Sequence, residues 1–147
     1  MKIISIAVSR KKGTRKTVVE RATLVENHGL EGDAHAGPWH RQVSFLALES
    51  IDAARQKGLV VDFGDFAENV VTTGVNWTHL PVGSRVKLGG AVIVAVSQIG
   101  KTCHKPCAIY YQTGDCIMPR EGVFARVIRG GEIVCGDPIE LLPHAGD

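Results

Sequence analysis

Short β-branched runs, each soon interrupted by glycine or by a cluster of charges, dominate this chain and leave little room for long helices. Seventeen of its 147 residues are glycine, and punctuation of this kind belongs to a mainly β sandwich or barrel rather than to repeated strand–helix units. Strands are predicted over residues 2–9, 16–25, 43–46, 69–73, 85–88, 91–98 and 139–142. Gly89 and Gly90 supply the positive φ of a primed hairpin turn between two of these runs, in a register that sets Val92, Val94 and Val96 on one face. Only two segments suggest helix. Residues 48–57 carry Leu48, Ile51 and Ala54 at helical spacing ahead of Gly58, and residues 120–129 carry Val123 and Val127 as an i, i+4 stripe ahead of Gly130 and Gly131.

Composition bounds the rest. An apolar fraction of 44% and a charged fraction of 22% are ordinary for a globular protein. The length suffices for one self-sufficient core, so a single domain over residues 1–147 is expected, with no linker or internal repeat. A net charge of +2 gives no sign of a nucleic-acid-binding surface. The apolar start of the chain is cut off at Arg10, Lys11 and Lys12, too early for a secretory segment, and no run of about 18 apolar residues spans a membrane. The expectation is a cytoplasmic protein with reduced thiols, whose cysteines serve metal binding or catalysis rather than disulfides.

Three of the four cysteines, Cys103, Cys107 and Cys116, fall in one turn-rich segment with Lys101, Lys105 and Arg120. Cationic neighbours lower the cost of a thiolate, the form that binds metals and attacks electrophiles. Packing as small hydrophobes is the alternative for any one of them. Zinc held by Cys103, His104, Cys107 and Cys116 is a weak rival, because the paired C-x-x-C spacing of structural sites is missing. Cys135, alternating with Ile133, reads as core. Gly29, Gly32 and Gly37 make a loop whose amides can approach a ligand, and Asp33, His35, His40 and Arg41 are interleaved with them; read alone, this is more readily a surface turn capped by Asp33. Glu68 and Asn69 form an acid–amide pair that either binds a donor-rich edge or satisfies backbone groups, and a catalytic carboxylate pair of Asp33 with Glu68 is a weaker reading. Lys101, Lys105, Arg120 and Arg126 suit a phosphate, whereas Lys11, Lys12, Arg15 and Lys16 are expected to be merely solvated.

Four separated strings together resemble one family: GLEGDAHAGPWHRQV at 29–43, GDFAENV at 64–70, LPVG at 80–83, and the cysteine segment running into PREGVF at 119–124. They are similar to the MOSC domain, the module named for the C-terminal part of molybdenum cofactor sulfurases, from about Gly29 to Leu141. The resemblance implies a β-barrel-like fold with a few short helices. It also implies a link to the molybdenum cofactor, a phosphate-bearing pterin dithiolene, in sulfur transfer or in the reduction of N-hydroxylated compounds. The string Lys105, Pro106, Cys107 matches the family's characteristic cysteine, which makes Cys107 the implied thiolate ligand of molybdenum. Cys103 and Cys116 are left as second ligand, resolving thiol or bystander. By the same resemblance His35, His40, Arg41, Glu68, Asn69, Lys101, Lys105 and Arg120 are the implied cofactor-binding residues. No pyridoxal phosphate domain is expected in this stand-alone chain, so that cofactor would act only through a partner. Such partners are a cysteine desulfurase, or proteins of molybdenum cofactor biosynthesis or molybdoenzymes. Alternatives are a metal-free persulfide carrier and a non-catalytic interaction module.

Overall fold

The computed structural model describes residues 1–12, 14–100 and 117–143. The fold is mainly β, with two short helices among the described residues. In chain order the elements are β1 (Lys2–Val8), β2 (Thr17–Val19), β3 (Arg21–Val25), β4 (Gly29–Leu30), β5 (Val43–Ala47), α1 (Leu48–Gln56), β6 (Val70–Thr73), a 3-10 turn (Trp77–His79), β7 (Arg85–Leu88), β8 (Val92–Ile99), α2 (Met118–Glu121), β9 (Val123–Arg129), β10 (Gly131–Val134) and β11 (Ile139–Leu141). Eight strands form one sheet in the order β11-β7-β8-β9-β5-β6-β1-β2, and β10-β3-β4 form a second. An isolated bridge between Lys2 and Pro138, with the Ile3 amide donating to the Asp137 carbonyl at 2.9 Å, brings β11 against β1. The large sheet therefore curls toward a barrel without a continuous ring of strand pairs.

Two apolar clusters fill the two faces of that curl. The larger holds Ile3, Ile6, Val43, Phe45, Val94, Val96, Val123 and Ala125, and within it the Phe45 and Trp77 rings stack at 4.4 Å, a contact worth about 0.5–1.5 kcal/mol beyond its buried area. The smaller places Leu46, Val71 and Phe124 of the sheet under Ile51 of α1 and Met118 of α2. Helix α1 forms where its periodicity predicts it, with Glu49 in its first turn, Arg55 in its last, and buried Ile51 and Ala54. Gly58, at φ +101°, then supplies the left-handed residue that ends it.

Three expectations are corrected. Residues 123–129 are strand, not helix. Positions i and i+4 share a face in both periodicities, so Val123 and Val127 do not discriminate. Ala125 does: with them it faces the core on a period of two, and β9 pairs with both β8 and β5, where long-range pairing overrides local spacing. Helix is confined to Met118–Glu121, and Arg126 stands exposed on the strand. Residues 16–25, read as one strand, break at Glu20 into β2 and β3, which join different sheets. The β7–β8 hairpin forms, but its register pairs Leu88 with Val92, which leaves Gly89, Gly90 and Ala91 in a three-residue turn where Gly89 has positive φ and Gly90 does not, rather than the expected two-glycine primed turn. Val92, Val94 and Val96 do share the buried face. Cys135 follows β10 and packs half-buried against the larger cluster.

Candidate functional site

The loop over residues 31–42 is built around a buried charge cluster. Lys16, expected in solvent, has a fully buried side chain whose ammonium lies 2.8 Å from Asp33 Oδ1, 3.0 Å from His35 Nδ1 and 3.1 Å from the Ser9 hydroxyl. The Asp33 carboxylate also accepts the Ser9 amide at 2.9 Å and the His35 amide at 3.1 Å. Burial penalises its charged form, yet the surrounding groups of His35, Lys16 and Ser9, with the Lys16 charge, together hold its pKa well below the ordinary 3.8. Asp33 does turn the loop, as a surface cap would, but it does so from the interior.

From this base the loop presents its outer residues on one ring. The Trp39 indole donates to the His35 carbonyl at 2.6 Å and lies parallel to the His35 imidazole with centroids 6.4 Å apart. His40 meets its edge at 5.5 Å. Lys12 stands 4.5 Å over its centroid and the Arg41 guanidinium 5.9 Å from it, within the range of cation–π attraction. Arg41 also covers the Phe124 ring at 5.4 Å and donates through Nε to Gln98 Oε1 at 3.2 Å. The His40 carbonyl accepts from the Ser97 hydroxyl. The loop thus folds over the part of β8 and β9 that carries Ser97, Gln98 and Phe124.

That place adjoins both ends of the cysteine-bearing segment. Gln98 Nε2 donates to the Gly100 carbonyl at 2.8 Å, and the Gly100 amide donates to the Gly122 carbonyl at 2.7 Å. Gly100 has φ +66°, and a Cβ there would stand 2.5 Å from the Pro119 carbonyl oxygen, so the crossing of these backbones requires glycine. Lys101, Cys103, Lys105, Cys107 and Cys116 themselves lie outside the described residues. So does His104, and with it the zinc reading. Among the described residues no group of three or more His, Cys, Asp or Glu side chains is placed to hold a metal.

His35, His40 and Arg41 are therefore brought together; the other described candidates are not. Glu68 is buried, and its two oxygens accept the Gly64 amide at 2.6 Å and the Phe66 amide at 3.1 Å. Asn69 accepts from the Ser44 amide at 3.0 Å and donates to the Ala7 carbonyl at 3.1 Å, tying β5 to β1 at the entrance of β6. Their polar atoms are engaged in the scaffold, which favours the backbone-satisfying role over ligand contact. Glu68 and Asp33 have separate partners, so no carboxylate pair forms between them. Arg120 is exposed on α2, lining a cavity of about 300 Å³ with Ser50 and Lys57 of the α1 region. Lys12, Lys16, Trp39 and Gln98 are the residues that sequence reasoning missed, Lys12 and Lys16 having been expected only to be solvated. Nothing in the local pattern marks Lys16 as inward-pointing, since Val18, two residues on, is itself exposed.

Glu68 makes the scaffold pH-sensitive. Burial raises its pKa from 4.5 to about 7, overcoming the stabilising amides, with a smaller push from the Asp65 charge. A carboxyl that binds its proton more tightly folded than unfolded loses stability as pH rises between those two values, here by about 3 kcal/mol. Urea denaturation of wild type and Glu68→Gln across that window is expected to show a falling difference in stability with rising pH. A constant difference would contradict it. Asp33 acts at the other end of the scale: its contribution is present above the ordinary 3.8 and is lost as pH falls below it.

Solved structures share this architecture. YiiM from Geobacillus stearothermophilus aligns with 97% of this chain and 75% of its own at 23% identity and a TM-score of 0.71. YiiM from Escherichia coli aligns with 100% and 72% at 23% identity and a TM-score of 0.66. The YUAD protein from Bacillus subtilis aligns with 94% and 93% at 18% identity and a TM-score of 0.77. At these identities the likeness is one of fold. No curated protein matches the chain in sequence. The family model described as MOSC domain matches residues 31–140, a span that contains the Trp39 loop, both ends of the cysteine-bearing segment and the strands that support them, and the chain belongs to the MOSC domain family.

Proposed function

We propose that this protein binds a molybdenum–pterin cofactor at the Trp39 loop, in cofactor sulfuration or carriage or in the reduction of N-hydroxylated compounds. The observation that carries the reading is the convergence of Arg41, Lys12 and His35 on one indole, next to the two backbone points between which the thiols are strung. Arginine, lysine and imidazole N–H groups are donors, and an aromatic platform between them suits a flat, anionic, acceptor-rich ligand. The described residues fit such a group on its pterin and phosphate side, while the thiolate would come from Cys107. When bound, the group supplies a sulfur-ligated, redox-active centre. The protein's own share is to neutralise the phosphate, orient the ring and hold its donors in place. A cytoplasmic, single-domain protein that takes sulfur from a separate pyridoxal phosphate-dependent desulfurase is the setting this reading implies.

The test is molybdenum and pterin analysis of protein purified from a host that makes the cofactor. Wild type is expected to carry both, and Arg41→Ala to bind the isolated cofactor about tenfold more weakly, the scale of one hydrogen bond to a charged group. Stoichiometric zinc with no affinity for the pterin would overturn the reading. Persulfide on the cysteine-bearing peptide without any bound molybdenum would favour the sulfur-carrier alternative.

A further inference from the structure

We infer that Lys16 is a positioning residue that fixes the tautomer of His35, so that the ring carries its proton on Nε2 and offers it outward as a hydrogen-bond donor. The inference deepens the proposed function, since it states what His35 does for an acceptor-bearing ligand, but its evidence is independent of any ligand. The side chains of Lys16 and Asp33 are wholly buried, while that of His35 is 18% exposed. His35 Nδ1 lies 3.0 Å from the Lys16 ammonium and 3.7 Å from Asp33 Oδ2. An ammonium can only donate, so at the shorter contact Nδ1 must accept, and the hydrogen of the neutral ring then sits on Nε2. Asp33 Oδ2 has a closer donor in the His35 amide at 3.1 Å, which leaves the longer contact to Nδ1 without geometric support.

The other nitrogen faces outward. Nε2 has no hydrogen-bond partner among the described residues, and the only buried side-chain polar atom lacking one there is Ser5 Oγ. Nε2 is therefore reachable from solvent, on the imidazole that lies parallel to Trp39. The ligand class that follows is one presenting an oxygen or nitrogen acceptor, such as a phosphoryl, carbonyl or oxo group. A role for His35 as a base at Nε2 is disfavoured, because that lone pair is already protonated.

Two-bond ¹⁵N–¹H correlation spectra of imidazole-labelled, ligand-free protein near neutral pH separate the two tautomers. Wild-type His35 is expected to show an unprotonated, pyridine-like Nδ1 and a protonated Nε2; a protonated Nδ1 would overturn the inference. In Lys16→Met, checked for folding by its amide spectrum, the pattern should shift toward Nδ1–H, now free to donate to Asp33, and an unchanged pattern would remove the role of Lys16. Asp33→Asn decides the matter if the first variant does not fold. It keeps the lysine donor, so Nδ1 should stay unprotonated, and a protonated Nδ1 there would make Asp33 the residue that sets the ring. Because no cofactor is present, failure here is distinguishable from failure of cofactor binding.

Discussion

Lys16→Met is expected to cost about 3–5 kcal/mol of folding stability, the penalty for breaking a buried ion pair and leaving its partner charged. The substitution keeps the length of the side chain, so the loss is electrostatic rather than a cavity. What is removed is the 2.8 Å contact to Asp33 from a site where both side chains are wholly buried. The carboxylate is left with the amides of Ser9 and His35 and with the neutral His35 ring, none of which supplies the lost positive charge. Pairing the change with Asp33→Leu should recover part of the loss, since two apolar groups strand no charge, and a double-mutant cycle from urea denaturation reads the coupling. A single-variant loss below about 1 kcal/mol would mean that the pair is as dispensable as an exposed one. Part of the cost would appear as a disordered loop, because Asp33 also turns the chain toward His35 and Trp39.

Cys107→Ala carries the largest functional effect. Bound molybdenum, measured by elemental analysis on protein from a cofactor-producing host, is expected to fall by more than about tenfold, since even residues one step removed from a metal's ligands can change affinity on that scale. Cys103→Ala and Cys116→Ala should retain most of the metal if they serve as relay or packing residues. Equal molybdenum in wild type and Cys107→Ala would rule out the thiolate role. The Arg41→Ala comparison tests the other side of the ligand, so a protein that loses metal with Cys107→Ala but keeps pterin affinity would separate the two halves of the site.

The chain's periodicity was enough to place most strands, the first helix and the β7–β8 hairpin, because each rests on a local pattern: alternation in Val92, Val94 and Val96, helical spacing in Leu48, Ile51 and Ala54, glycine where φ is positive. It failed at residues 123–129, where a stripe compatible with both periods was resolved by pairing with β8 and β5. It failed again near Glu20, where two successive strands leave for different sheets. Neither decision is local.

The candidate site divides in the same way. The motif strings alone identified the family, the thiol segment and the loop bearing His35, His40 and Arg41, since residue type and spacing carry that chemistry. The tertiary structure alone decided which polar residues face inward. Glu68 and Asn69 match the family pattern yet spend their hydrogen bonds on the backbone, whereas Lys16, which resembles any surface lysine, is buried against Asp33 and His35. A charge's role is set by what surrounds it in three dimensions, through desolvation and the partners that compensate it, and a linear sequence records neither.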